Sequence, residues 1–182
     1  MESTVSTKVS IEEFLSNPDI HYYDFHELHN GEIVEVTPPS AEHVRLQIHL
    51  QSVLQNLLQD AYIVVREFYF VLSTEGRRAD VAAVEANRWR GWEKGVFTGS
   101  PEIVIEILSP SNRAADLTHL RRVCLDEGAE QFWVVDPFEQ MVEIYRRDGS
   151  WKEYSYKHEV AINLNLGSGK REYALQVRNA FE

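Results

Sequence analysis

Two carboxylates stand where this chain would be expected to bury hydrocarbon. Glu106 interrupts the run Pro101-Glu-Ile-Val-Ile-Glu-Ile-Leu108, in which Ile103, Val104, Ile105, Ile107 and Leu108 all suit an interior strand. Both alternating faces of that run are apolar, so both are covered, and an unpaired ion placed there costs several kcal/mol. Asp80 lies near the start of the preceding strand-like run, Ala79-Asp-Val-Ala82. If the two strands are neighbours, the carboxylates face each other over a few ångströms. Two such charges coexist only around a shared proton or a cation. Oxygen-rich ligation of this kind suits Mg2+ or Mn2+, which keep several waters and meet substrate phosphates. The alternative is structural, with Glu106 bonded to Arg113 or to a backbone amide.

The elements that would position these residues can be read in order. Ser10-Ile-Glu-Glu13 is a capping box that opens a short helix ending near Asn17-Pro18. Asn30-Gly31 marks a turn between strand-like runs at about 22–28 and 32–37. Ser40, after Thr37-Pro-Pro, is placed to cap a long helix over 41–59, whose apolar face carries Val44, Ile48, Val53, Leu54, Leu57 and Leu58. Strands follow at 62–72, 78–84 and 102–108, with 86–100 as a loop carrying Trp89 and Trp92. A second helix covers about 114–126 and ends at Gly128. A strand at 131–135 and a hairpin joining 140–147 to 150–156 through Asp148-Gly149 complete the legible part. The last twenty residues alternate only weakly.

This order implies an α/β or α+β fold: a mixed β-sheet flanked by helices, with the hairpin appended. The length of 182 residues, 43% hydrophobic and 26% charged, fits one domain over 1–182. The N-terminal Met1 to Phe14 lacks the apolar centre of a signal peptide and no run is long enough for a membrane span, so the expected location is the cytoplasm. Cys124 falls on an apolar helix stripe, as a core residue would. A net charge of −11 excludes a generally basic nucleic-acid-coating surface. Eight of the 18 Lys and Arg nonetheless lie between positions 77 and 122, so a phosphate would be met there.

The segments Gly99-Ser-Pro-Glu-Ile-Val-Ile-Glu-Ile-Leu-Ser-Pro-Ser111, Asp116-Leu117 and Gly128-Ala-Glu-Gln-Phe-Trp-Val-Val-Asp-Pro137 resemble the Uma-type restriction endonuclease family of the PD-(D/E)XK nuclease superfamily. Glu27-Leu-His-Asn-Gly-Glu-Ile-Val34, Pro39-Ser40 and His43 are similar to that family's N-terminal pattern. The likeness spans about residues 20–145. It implies a restriction-endonuclease-like core and metal-dependent hydrolysis of DNA phosphodiesters, with Asp80 and Glu106 as the motif's two acids and Mg2+ (or Mn2+) ligands. His43 would touch the substrate or a metal-bound water, the alternative being a capping or packing role in the first turn of the long helix. The family's lysine on the following helix, in a pattern like Asp-Leu-x-x-Lys, corresponds here to Leu120, and Ala79 replaces the proline usual before the first acid. Arg121, next to Leu120, or Arg113 at the helix start could take the lysine's place, with Arg113 and Arg78 as substrate contacts. Arginine cannot, however, act as a base.

Leu120 also supports a second reading, a catalytically silent relative that binds nucleic acid or protein. Glu27 and Glu32, flanking the Asn-Gly turn, are expected at the surface, the alternative being that either adds a third acid to the site. Arg88-Trp-Arg-Gly-Trp92 interleaves basic and aromatic residues as a base-stacking loop would, or packs as a lid or subunit contact. Cutting two strands calls for two cores, so a homodimer with DNA as its partner is the expectation. The histidines lack zinc spacing, and P-loop and serine-elbow motifs are missing.

Overall fold

The computed structural model describes residues 8–19, 26–92, 94–109, 114–166 and 169–182. In chain order the elements are α1 (Ile11–Ser16), β1 (His26–His29), β2 (Glu32–Glu35), α2 (Ala41–Leu58), β3 (Tyr62–Val71), β4 (Gly76–Glu85), α3 (Ala86–Gly91), β5 (Phe97–Thr98), β6 (Ile103–Ile107), α4 (Ala114–Asp126), β7 (Gln131–Asp136), β8 (Met141–Arg146), β9 (Trp151–Ser155), β10 (Glu159–Leu166) and β11 (Gly169–Gln176).

The local signals explain the ends of several elements. Ser10 and Glu13 bond reciprocally at the start of α1. The Ser40 hydroxyl accepts from the His43 amide at 3.2 Å and caps α2. Asn30 and Gly31 both adopt positive φ, 50° and 84°, the combination that a tight β1–β2 hairpin turn demands. Residues 22–25 of the expected first strand lie outside the described residues.

The main sheet runs β2-β1-β4-β6-β7-β8-β9, with β3 along the other edge of β4 and β5 beside β3. Among the described residues only β6–β7 and β3–β5 pair in parallel. On one face, Leu50, Leu54 and Leu58 of α2 pack on Val81, Ala83, Ile103, Ile105 and Trp133. On the other, Leu120 and Cys124 of α4 pack on Ala82, Val84, Val104 and Phe132. Cys124 is a core residue, and burial pushes its thiol up to about 12.

Two expectations are corrected. Residues 86–100 are not a plain loop but contain α3 and β5, because Trp89 and Trp92 pack inward. Their rings lie 5.4 Å apart and close on Phe68 and Phe97, while Arg88 pairs with Glu102 and donates to the Ser100 carbonyl. Both rings are half-buried in that cluster. The hairpin at 140–156 is not appended either: β8 and β9 extend the main sheet beyond β7. The separate hairpin is β10–β11, whose Val160, Ile162, Leu164 and Leu175 close the α2 face.

Candidate functional site

The site begins with a fault in strand alternation. Tyr62 and Val64 of β3 face the α2 layer, whereas Phe68, Phe70 and Leu72 face the α4 layer. Across the ladder, Ala79 faces the α4 layer, whereas Val81 and Ala83 face α2. Both strands therefore change faces at one level, where Glu67 and Asp80 drop out between the ladder pairs Arg66↔Val81 and Phe68↔Ala79. Glu67 absorbs the change with φ 50°, a conformation that a non-glycine residue adopts at a cost of about 1 kcal/mol or more.

The β4–β6 register, Val81↔Ile105 and Ala82↔Val104, brings Asp80 opposite Glu106 when continued one step. Glu67, Asp80 and Glu106 thus form one row across three neighbouring strands. Since β3 occupies the whole of one edge of β4, β1 and β6 must share the other. Among the described residues they pair there at Gly76 and at residues 81–83, leaving Arg77 to Asp80 between those pairings. A cleft of about 970 Å³ is lined there by Glu67, Asp80, Glu106 and His43 and by a second linked group, Glu27, Arg77 and His119.

Every oxygen of Asp80 is held. Oδ1 meets His43 Nε2 at 2.8 Å and accepts from the Gln47 amide at 2.9 Å, and Oδ2 accepts from the Ile107 backbone N–H at 2.7 Å. His43 and Gln47 lie one turn apart on α2, so one helix face clamps the carboxylate. The hydrogen bond to Asp80 raises the pKa of His43 above its usual value, burial opposes the shift, and the charges of Asp80 and Glu67 add to it. The Gln47 amide also donates to Glu67, whose other oxygen lies 3.8 Å from Arg78 Nη1.

Glu106 is treated differently. Its Oε1 is shut off from solvent and receives no hydrogen bond. Burial raises its pKa well above the ordinary carboxylate value, and the neighbouring charge of Asp80 raises it further. Arg77 pulls the other way, while Glu27 and Glu67 reinforce the rise. The Gln47 carbonyl oxygen is also buried and without a donor. These are hard oxygen acceptors lacking a positive partner, the chemistry that a divalent cation satisfies. Among the described residues no three His, Cys, Asp or Glu side chains form an all-protein metal cage. The donor set fits an ion that takes one or two carboxylates and keeps its waters.

The second group is a linked polar network around Arg77. Glu75 is fully buried, meets His119 Nε2 at 2.6 Å and Arg77 Nη1 at 3.4 Å, and accepts from the Asn30 amide at 2.9 Å. Glu27 is 7% exposed rather than at the surface, because Arg77, with Nε at 3.2 Å, compensates its charge, and His29 Nε2 lies within hydrogen-bond distance at 2.7 Å. Glu32 is exposed and lines the cleft mouth.

The structure therefore brings Asp80, Glu106, His43 and Arg78 into one cleft. Leu120, 2% exposed, lines the same cleft at the position where the family pattern carries lysine. Arg121 does not join them: its guanidinium carbon lies 3.8 Å over the Tyr145 ring, in a neighbouring pocket, since adjacent helix positions point about 100° apart. Arg113 lies outside the described residues. Glu67 and Gln47 were missed by sequence reasoning. Each had a signal, for Glu67 breaks an apolar strand as Glu106 does, and Gln47 interrupts the stripe that Leu50 and Leu54 continue.

A mixed sheet covered by helices on both faces, with a row of acids opening on a cleft, defines a nuclease-like fold of the restriction-endonuclease type. The chain shares this fold with the crystal structure of "a putative nuclease belonging to DUF820" from Anabaena variabilis ATCC 29413, with a TM-score of 0.76 at 22% identity over 95% of this chain and 97% of that one. The model of the Uma2 family, described as "Putative restriction endonuclease", matches residues 11–174, and the chain belongs to that family. No curated protein matches the sequence.

Proposed function

We propose that this protein hydrolyses phosphodiester bonds of DNA with the aid of Mg2+ or Mn2+ held by Asp80 and Glu106. The observation that carries this reading is Glu106 Oε1, buried without a donor in the same row as Asp80. Bound there, such an ion supplies Lewis-acid polarisation of a phosphate oxygen and lowers the pKa of water.

The chain's own residues do the rest. His43, Gln47 and the Ile107 amide fix Asp80 in one orientation, so no reorganisation is needed when the substrate arrives. Glu67 adds negative charge on the open side of the row and holds Arg78 at the cleft wall, where its guanidinium can meet a phosphate. His43 is the residue placed to accept or return a proton at its ring, with Asp80 stabilising the charged form. Leu120 supplies neither charge nor proton, so turnover is slow relative to a lysine-bearing site. Losing one preorganised electrostatic group costs about 10²- to 10³-fold.

Leu120 is also the observation that favours the second reading, a silent relative that binds nucleic acid or protein. A plasmid-nicking assay with Mg2+ or Mn2+ separates the two. The wild type is expected to nick, with Asp80→Ala and Glu106→Ala reducing nicking at least about 10²-fold. Nicking that survives both substitutions contradicts the proposed site. A wild type that stays inert until Leu120→Lys is introduced establishes the silent reading.

A further inference from the structure

Beside the acidic cleft lies a second pocket of about 460 Å³, and Leu117 and Ser109 line both. Its origin is the alternation of β8. Val142 and Ile144 face the α2 layer, so Glu143 and Tyr145 face the opposite side, at the flank of α4, which packs on β7. Arg121 closes the pocket from α4, its guanidinium stacked 3.8 Å over the Tyr145 ring. Trp151 of β9 stacks nearly parallel to Tyr145, with centroids 5.7 Å apart and planes at 17°, yet is 60% exposed. Phe138 is 70% exposed on the β7–β8 turn, and that turn is pinned because Asp136 Oδ1 accepts from the Phe138 and Glu139 amides at 2.8 and 3.0 Å.

An exposed Phe138 on a pinned turn and the Tyr145 ring beneath a planar cation line this nucleotide-sized hollow, which has the chemistry of a base-stacking platform. The hollow shares Ser109 and Leu117 with the acidic cleft, so the two are neighbours, and a strand whose phosphate lies against Asp80 and Glu106 can deliver a base to it. A base paired and stacked within a duplex cannot enter. We propose that this pocket receives an unpaired base of the DNA strand, stacked on Phe138 and the Arg121–Tyr145 pair, which makes single-stranded or locally unpaired DNA the preferred substrate. The inference rests on the nuclease reading for the strand's path but makes its own claim about binding.

The test measures anisotropy and fluorescence of a short single-stranded DNA carrying 2-aminopurine, with its duplex and an abasic single strand as controls. The full chain is used, with Ca2+ in place of Mg2+. The wild type is expected to bind the single strand tightest and to quench 2-aminopurine. Phe138→Ala and Arg121→Ala should weaken single-strand binding about tenfold or more while leaving duplex binding unchanged. Equal affinity of wild type and Phe138→Ala, equal binding of the abasic strand, or no binding by the wild type overturns the proposal. Nicking of the same DNAs keeps the two readings apart. Phe138-dependent binding without any nicking contradicts the nuclease alone, and nicking without Phe138 dependence contradicts the pocket alone.

Discussion

Glu106 is held where its charge is disfavoured, by burial first and by Asp80 second. Its pKa is raised, so above the ordinary value of 4.5 the folded chain keeps a proton that the unfolded chain has released, and stability falls as pH rises toward the folded value. His43 acts in the same sense. Its raised pKa contributes stability fully present below the ordinary 6.5 and lost as pH climbs through the folded value. Without divalent ions, the melting temperature should therefore decline as pH rises from mildly acid to alkaline, and Mg2+ should flatten the decline. Glu106→Gln removes the buried charge at constant shape. It should raise stability by about 2 kcal/mol at alkaline pH, roughly 4–8 °C in Tm, and abolish the Mg2+ effect. A wild-type Tm that rises with pH would contradict this account of the pair.

The elements set where those residues meet, and two positions test them. Gly76 is where β1 joins the edge of β4, opposite Leu28, and a Cβ there would overlap the Tyr69 hydroxyl. Gly76→Ala should cost about 1–3 kcal/mol by overpacking, read as a lowered denaturation midpoint, and should also lower nicking because β1 lines the cleft with Glu27 and His29. Leu120 belongs to the α4 face that covers the sheet, so Leu120→Lys places an ammonium at the cleft rim at some cost to packing. It should increase nicking at least about tenfold while lowering Tm; unchanged activity would show that this position does not reach the substrate.

The long helices α2 and α4 were legible from their apolar stripes, α2 also from its Ser40 cap, and β3 and β6 from their apolar runs. The acid row was half legible. Asp80 and Glu106 stand out as charges in apolar strands, but the simultaneous face switch at Glu67 and Asp80 depends on a cross-strand register that no local pattern encodes. Glu27 was misread as a surface residue because its compensating partner, Arg77, is distant in sequence.

At the scale of the whole molecule, a chain of net charge −11 with an acid-lined cleft repels DNA unless cations intervene. Affinity for DNA should therefore rise on adding Ca2+ at constant ionic strength, and Asp80→Asn should remove most of the gain. Binding that is indifferent to divalent ions would place the DNA elsewhere on the surface.

The most direct measurement is anomalous diffraction from a crystal soaked in Mn2+. One strong peak within coordination distance of both the Asp80 and Glu106 carboxylates is the expected result, and its disappearance in Glu106→Gln would complete it. Manganese bound only at other sites, or none at saturating concentration, would contradict the claim on which the proposed chemistry stands.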